Sequence, residues 1–199
     1  MLAFEEENRL SQDGREMLGR LSDVALRIDA LIRGLAEMGR MLRDTRLVSP
    51  VRLATVLEEA VAEVRGVFPD LPVEYHLQEP LPSLRVPGPA LRQVFVHLLR
   101  NAAQARAKDR PLVLQLGAVA DHDQLEFWLE DNGSGLSALR QKRLFEPFPG
   151  SDRPNGGIGL GLFFVRMMLD AWGGTICVQS QQGLGARFTI VLPVSESNA

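Results

Sequence analysis

The sequence has a single cysteine, Cys177, which excludes an internal disulfide framework and a cysteine-based zinc site and fits a reducing compartment. Cys177 lies in a strand-like run, 175–179, so it is expected to pack in a core. No apolar run is long enough to span a bilayer, and the acidic start, with Glu5, Glu6 and Glu7, is unlike a signal peptide. An excess of positive charge is also missing. The formal net charge is −3 and the pI about 5.7, which gives no footing for a nucleic-acid surface or an anionic membrane surface. Histidine is scarce, with three residues and none before His76. The expectation is a cytoplasmic chain, or the cytoplasmic part of something longer. What is present suits a globular fold: 45% hydrophobic and 24% charged residues over 199 positions, enough for one domain with an appendage or two small domains.

The first clear element is a long helix. After a candidate cap at Ser11 or Asp13, apolar residues recur at Met17, Leu21, Val24, Ile28, Leu31, Leu35, Met38 and Leu42. The alternating four-three spacing is a heptad seam, and Leu18, Ala25 and Ile32 widen it into the stripe of a bundle helix. Charged residues such as Arg20, Asp23, Arg27, Arg33, Glu37 and Arg40 occupy the other faces. Such a stripe needs a partner.

Ser49 and Pro50 open a second region. Residues 51–53 predict a short strand, 54–67 a helix with Leu57, Val61 and Val64 inward, and 73–78 an alternating strand. Pro80, Pro82, Pro87 and Pro89 predict a loop before a helix over 90–107. Strands follow at 112–120 and 125–130, joined by a turn at Asp121, His122 and Asp123. A glycine-rich loop, a short helix near 137–144, a helix over 160–172 and strands at 175–180 and 186–192 complete the chain. Strands with interspersed helices predict a two-layer α/β sandwich, a mixed sheet covered by helices, preceded by the long helix.

Four motifs carry chemistry. On the helix over 90–107, Leu91, Val94, Phe95, Leu98, Leu99, Ala102 and Ala105 form the buried stripe. His97, Asn101 and Gln104 lie one turn apart on another side, flanked by Arg100. An Asn held on a rigid helix can offer its carbonyl oxygen to a hard cation such as magnesium, or simply face solvent. Asp131, Asn132, Gly133, Ser134 and Gly135 follow an apolar strand. A carboxylate there can accept from an exocyclic amine, although a plain turn gives the same letters. Phe145 and Phe148 either plug a core or anchor one end of a lid, since the polar, breaker-rich stretch 149–155 comes next. Last, Gly156, Gly157, Gly159 and Gly161 run into a helix start. Bared amides and the positive dipole end suit phosphate, whereas a flexible hinge is the bland alternative. This run lacks the Lys-Ser/Thr of a P-loop and the βαβ setting of a dinucleotide fold.

In this order the motifs resemble the ATPase superfamily shared by histidine kinases, DNA gyrase, Hsp90 and MutL, and the histidine-kinase branch most. Residues 97–105 resemble its N box, 131–135 its first glycine box, 144–148 its F box and 157–161 its second glycine box. The resemblance covers 49–194 and implies a catalytic ATP-binding domain over 49–199, with 1–48 a remnant of a helical dimerisation domain.

It further implies that Asn101 binds Mg²⁺ bridging the ATP phosphates, that Asp131 binds the adenine amine, and that Gly133 and Gly135 give the base room. Gly157, Gly159 and Gly161, with Leu160 among them, would let a lid fold over the triphosphate, and Phe145 and Phe148 would pin its start. His97 and Asn101 are the catalytic candidates. His97 stands where sensor kinases usually have Asn, chemotaxis-type kinases His and ATP-hydrolysing relatives Glu. Gln104 and Gly150 stand where many members have basic residues, so Arg153 or Arg100 could substitute.

The implied activity is transfer of the ATP γ-phosphate to a protein histidine, relayed to the receiver domain of a response regulator, with homodimerisation through the first helix. No histidine of the chain sits where the family's acceptor does, which predicts a piece of a longer kinase. A nucleotide-dependent interaction module or pseudokinase, and an anti-sigma-type serine kinase, are the rivals. The heptad seam speaks against the serine kinase.

Overall fold

In a computed structural model of the chain, the described residues are 11–43, 48–69, 72–77, 83–120, 124–148 and 159–193. The chain divides into two compact units, Met1–Glu37 and Met38–Ala199.

Helix α1, Gln12–Arg43, supplies the first unit as far as Glu37, and its last residues fall in the second. Of its two candidate caps, Ser11 fills the role: its Oγ accepts from the Gly14 amide at 3.2 Å. Ion pairs one turn apart, Glu16 with Arg20 and Asp29 with Arg33, brace the polar faces. The seam residues Met17, Leu21, Val24, Ile28 and Leu35 are exposed.

The second unit is built on a five-stranded sheet of order β2-β4-β5-β7-β6. Its strands are β2 (Val73–Leu77), β4 (Leu112–Ala120), β5 (Gln124–Asp131), β6 (Thr175–Gln181) and β7 (Gly185–Pro193). Only β2 and β4 run parallel; the other pairs are antiparallel, so the sheet is mixed as expected. A separate antiparallel pair joins β1 (Val48–Arg52) to β3 (Ser83–Pro87). The prolines had pointed to loop through 80–89, yet 83–87 is strand. Pro87 closes β3 opposite Val48, and Pro50 lies in β1 of this two-stranded ribbon, where a missing ladder donor is tolerated.

Helices α2 (Leu53–Val67), α3 (Gly88–Gln104) and α5 (Gly161–Ala171) supply the second layer. α2 packs on α3 and α3 on α5. Leu57, Val61 and Val64 point inward as their spacing predicts, joined by Leu53, Val56 and Ala60. α3 lies between neighbours, so Val96 and Ala103 are buried as well as the predicted Leu91, Val94, Phe95, Leu98, Leu99 and Ala102, whereas Ala105 is only half-buried because α3 ends at Gln104 and Ala105 is its C-cap. The Phe95 and Phe127 rings, 5.7 Å apart, join α3 to β5. Arg92 pairs with Glu63 across α2 and α3.

Strand alternation places Leu125, Phe127 and Leu129 of β5 and Phe188, Ile190 and Leu192 of β7 in the core. The opposite face carries the register row Cys177, Thr189, Trp128 and Gly117. Cys177 is therefore exposed and not core, because β6 is an edge strand and position 177 falls on the face away from the helices. Trp128 lies across Gly117, where a Cβ would sit 2.0 Å from its ring, and Arg187 stacks on it at 4.5 Å.

Candidate functional site

Strand β5 ends in Asp131, the one buried charged side chain among the described residues, with 3% of its surface exposed. The sheet holds it between Leu114 of β4 and Ala186 of β7. Its Oδ1 accepts from the Gly133 amide at 2.8 Å, while Oδ2 is buried without a partner. Burial raises the carboxyl above its ordinary value. The Gly133 and Ala186 amides oppose that shift, and nearby Glu130 adds to it. A buried acceptor left open at a strand end is costly unless a donor arrives, and an amine would satisfy it.

The loop after Asp131 is fixed on several sides. Asn132 continues the sheet: its Oδ1 accepts from Val113 N at 2.9 Å and its Nδ2 donates to Pro111 O at 3.0 Å. Ser134 N donates to Ala105 O at the end of α3, and Gly183 N in the β6–β7 turn donates to Ser134 O. Leu136 N donates to Ser180 Oγ at 2.8 Å. The two glycines are required by this packing. A Cβ on Gly133 would lie 2.5 Å from the Ala105 carbonyl oxygen, and one on Gly135, which has φ of +66°, would lie 2.0 Å from Gln181 O. The loop's own backbone, not only room for a ligand, explains why side chains are barred.

On α3, His97 and Asn101 are both half-buried and one turn apart, so they share a face. His97 packs on the start of α5: its ring lies 6.4 Å from Phe164, and a Cβ on Gly161 would approach its Nδ1 to 3.1 Å. Burial, then the charge of Arg100, lowers the imidazole to about 4, so His97 is neutral at physiological pH. Among the described residues the first turn of α5 has no side-chain cap and no acidic residue, a combination that suits an anion. Leu160 is buried just before it.

Helix α4, Ala138–Arg143, is capped by Ser137 and leads to buried Leu144 and half-buried Phe145. Phe148, at φ of +55°, donates its amide to Gly159 O at 3.3 Å, so the two ends of the intervening segment meet. Arg153 and Gly157, like Gly150, Gly156 and the turn at 121–123, lie outside the described residues. Among the described residues no group of three or more His, Cys, Asp or Glu could hold a metal ion.

Residues 88–196 match the family described as histidine kinase-, DNA gyrase B- and HSP90-like ATPase. The chain belongs to this ATPase family. It is 37% identical over 122 residues to the alginate biosynthesis sensor protein KinB of Pseudomonas aeruginosa, covering 61% of this chain and 20% of that one. Against the sensor protein KdpD of Escherichia coli it is 32% identical over 142 residues, 69% of this chain and 16% of the other. The chain thus spans about a fifth of the length of these curated relatives. Among solved structures, the mycobacterial sensor histidine kinase MprB superposes with a TM-score of 0.62 at 24% identity, covering 74% of this chain and 98% of that one. The full-length ShkA complex with AMPPNP gives 0.67 at 23%, covering 96% and 41%. Both share the fold.

Within this ATPase-family domain, the described parts of the four motifs fall on α3, the end of β5, the segment after α4 and the start of α5. Except for Asn132, the residues that hold the loop lie outside the four motifs. Arg110, Asn132, Gln141 and Ser180 are distant in sequence from most of their partners, and no spacing rule links position 110 to 183 or 141 to 180. Only Asn132 gave a signal, as an Asn beside a strand-ending Asp. Gln104 is half-buried on the last turn of α3.

Proposed function

We propose that this chain is the ATP-binding catalytic part of a sensor histidine kinase, transferring the γ-phosphate of ATP to a protein histidine. The observation that carries the reading is the buried, unpartnered Asp131 Oδ2, set at a strand end with its other oxygen already satisfied. Such an acceptor fits the exocyclic amine of adenine. The uncapped start of α5 would receive the phosphates through the amides of 161–163, and Asn101 would hold the protein side of magnesium. Magnesium, when bound, neutralises charge on the phosphate oxygens during transfer. Neutral His97 would position α5, since an imidazole lowered to about 4 is a weak base at pH 7.

In the transfer, the bond from the γ-phosphorus to the β-phosphate oxygen breaks as a phosphorus–nitrogen bond to the acceptor imidazole forms, and ADP leaves. Among the described residues, His97 is packed against α5 and His76 lies within strand β2 beside β4, and neither stands on an acceptor helix. On this reading the acceptor helix would come from elsewhere, and the exposed seam of α1 would pair with such a helix or with a second copy. The receiver domain of a response regulator would take the phosphoryl group onward. No helix among the described residues is long and apolar enough to cross a membrane, and the reading places this part in the cytoplasm.

The test supplies a separate helical hairpin bearing a histidine followed by an acid, together with Mg²⁺ and γ-labelled ATP. Label appearing on that histidine in an acid-labile, base-stable form is expected, and none with Asp131→Ala. Nucleotide binding without transfer to any acceptor hairpin would instead make the chain a nucleotide-dependent interaction module.

A further inference from the structure

Arg110 stands between α3 and β4, in a segment with no motif. Its guanidinium spans two elements. Nε donates to Asn132 O at 3.0 Å, and Nη2 donates to Gly133 O at 3.2 Å and to Gly183 O at 2.6 Å. Asp109, at 4.0 Å from Nη1, is a looser neighbour. Arg110 also lines a cleft with Arg106 and Lys108, which by itself would suggest an anion site. Its donors are already aimed at carbonyls, however, and the fork geometry of a guanidinium suits that task as a lysine's single ammonium cannot.

The backbone explains why this matters for Asp131. The Asn132 carbonyl and the Gly133 amide belong to one planar peptide unit. Arg110 holds the carbonyl end of that plane, and Asp131 Oδ1 accepts from its amide end. Rotation of the plane would break both bonds together. The next carbonyl, Gly133 O, is held by the same guanidinium, while Ser134 N is tied to Ala105 O. Through Gly183 the clamp also fixes the β6–β7 turn, and Gly185, which opens β7 just after it, passes so close to the Asp131 carbonyl oxygen that a Cβ would lie 1.8 Å from it.

We propose that Arg110 is a positioning residue for the base-binding carboxylate: it locks the 132–133 peptide to the β6–β7 turn and so aims the open oxygen of Asp131. This rests on the nucleotide reading above, and two measurements separate the two claims. Amide hydrogen exchange on the ligand-free protein tests the clamp. Arg110→Ala is expected to speed exchange at Gly133, Ser134 and Gly183 while amides of β5 and α3 keep their protection, and Arg110→Lys should restore little of it. Unchanged exchange at these three amides would overturn the clamp.

The second measurement compares Arg110→Ala with the unaltered chain in binding ATP, ADP and adenosine, read by NMR titration. A base-positioning role predicts the same loss for all three, about tenfold in affinity, with little dependence on salt. A loss that grows with the number of phosphates, or full recovery in Arg110→Lys, would make Arg110 a phosphate-side charge and overturn the proposal. If the unaltered chain binds none of the three, the nucleotide reading fails, and with it the base-positioning role; the exchange result still decides the clamp.

Discussion

The two sides of the candidate site are built differently. The side centred on Asp131 is stitched by side chains from several elements: Asn132 to β4, Arg110 to the β6–β7 turn, and Ser180 and Gln141 to Leu136. The side centred on the start of α5 has no side-chain cap, and its approach is marked by one backbone bond between Phe148 and Gly159 and by the packing of His97 on Gly161. A rigid side can present a single fixed acceptor to a base. An uncapped helix start, by contrast, leaves amides free for a ligand that arrives with its own charge and cation. On the proposed nucleotide reading, the preorganised side would serve hydrogen-bond recognition of the base and the helix start would serve an anion.

The largest way to break this contrast is on the stitched side. Gly135→Ala places a methyl 2.0 Å from a backbone carbonyl at a φ of +66°. It should destabilise the domain by about 3 kcal/mol, measured by denaturant unfolding, because backbone rather than a side-chain tip must move.

His97 comes next and sharpens the other side. Its folded pKa, about 4, lies below the unfolded value near 6.5. The resulting stability is present above pH 6.5 and is lost as pH falls through 4, for a total on the order of 3 kcal/mol. His97→Gln should flatten that acid limb in a series of Tm measurements against pH. An unchanged limb would show that other groups carry it.

A smaller effect with opposed signs is expected at Asp131. Its raised carboxyl pKa means that stability is greatest while the group is protonated and is lost as pH rises through the folded value. Asp131→Asn removes that penalty, so at pH 7 it should raise the Tm of the ligand-free protein by about 2–4 °C. The same change should weaken ATP binding. A fall in Tm together with lost binding would mean that the carboxylate is a structural group.

Gly161→Ala should be the mildest. Its methyl would meet His97 Nδ1 at 3.1 Å, while alanine in a helix offsets part of the strain, so stability should stay within about 1 kcal/mol. Any loss of triphosphate binding larger than that change would place the cause at the helix start itself.

Local spacing made much of this legible from sequence. The inward residues of α2, the stripe of α3, the Ser11 cap and the mixed sheet all follow from periodicity and capping chemistry. The candidate residues Asn101, Asp131, Gly159 and Gly161 stood out through the order of their motifs, since each motif alone also fits a turn, a hinge or an exposed side chain. What escaped was set by tertiary register. Residues 83–87 become a strand only because β1 pairs with them, and Cys177 is exposed only because β6 is the sheet edge. Arg110 gained a role from carbonyls 22, 23 and 73 residues away.

The most direct test of the central claim is a calorimetric titration of the protein with ATP, with and without Mg²⁺, beside Asp131→Ala and Asn101→Ala. Binding is expected to be strengthened by Mg²⁺, about ten- to a hundredfold weaker in Asp131→Ala, and deprived of its magnesium dependence in Asn101→Ala. Folded protein that binds no ATP, or that binds it equally well without the Asp131 carboxylate, would contradict it.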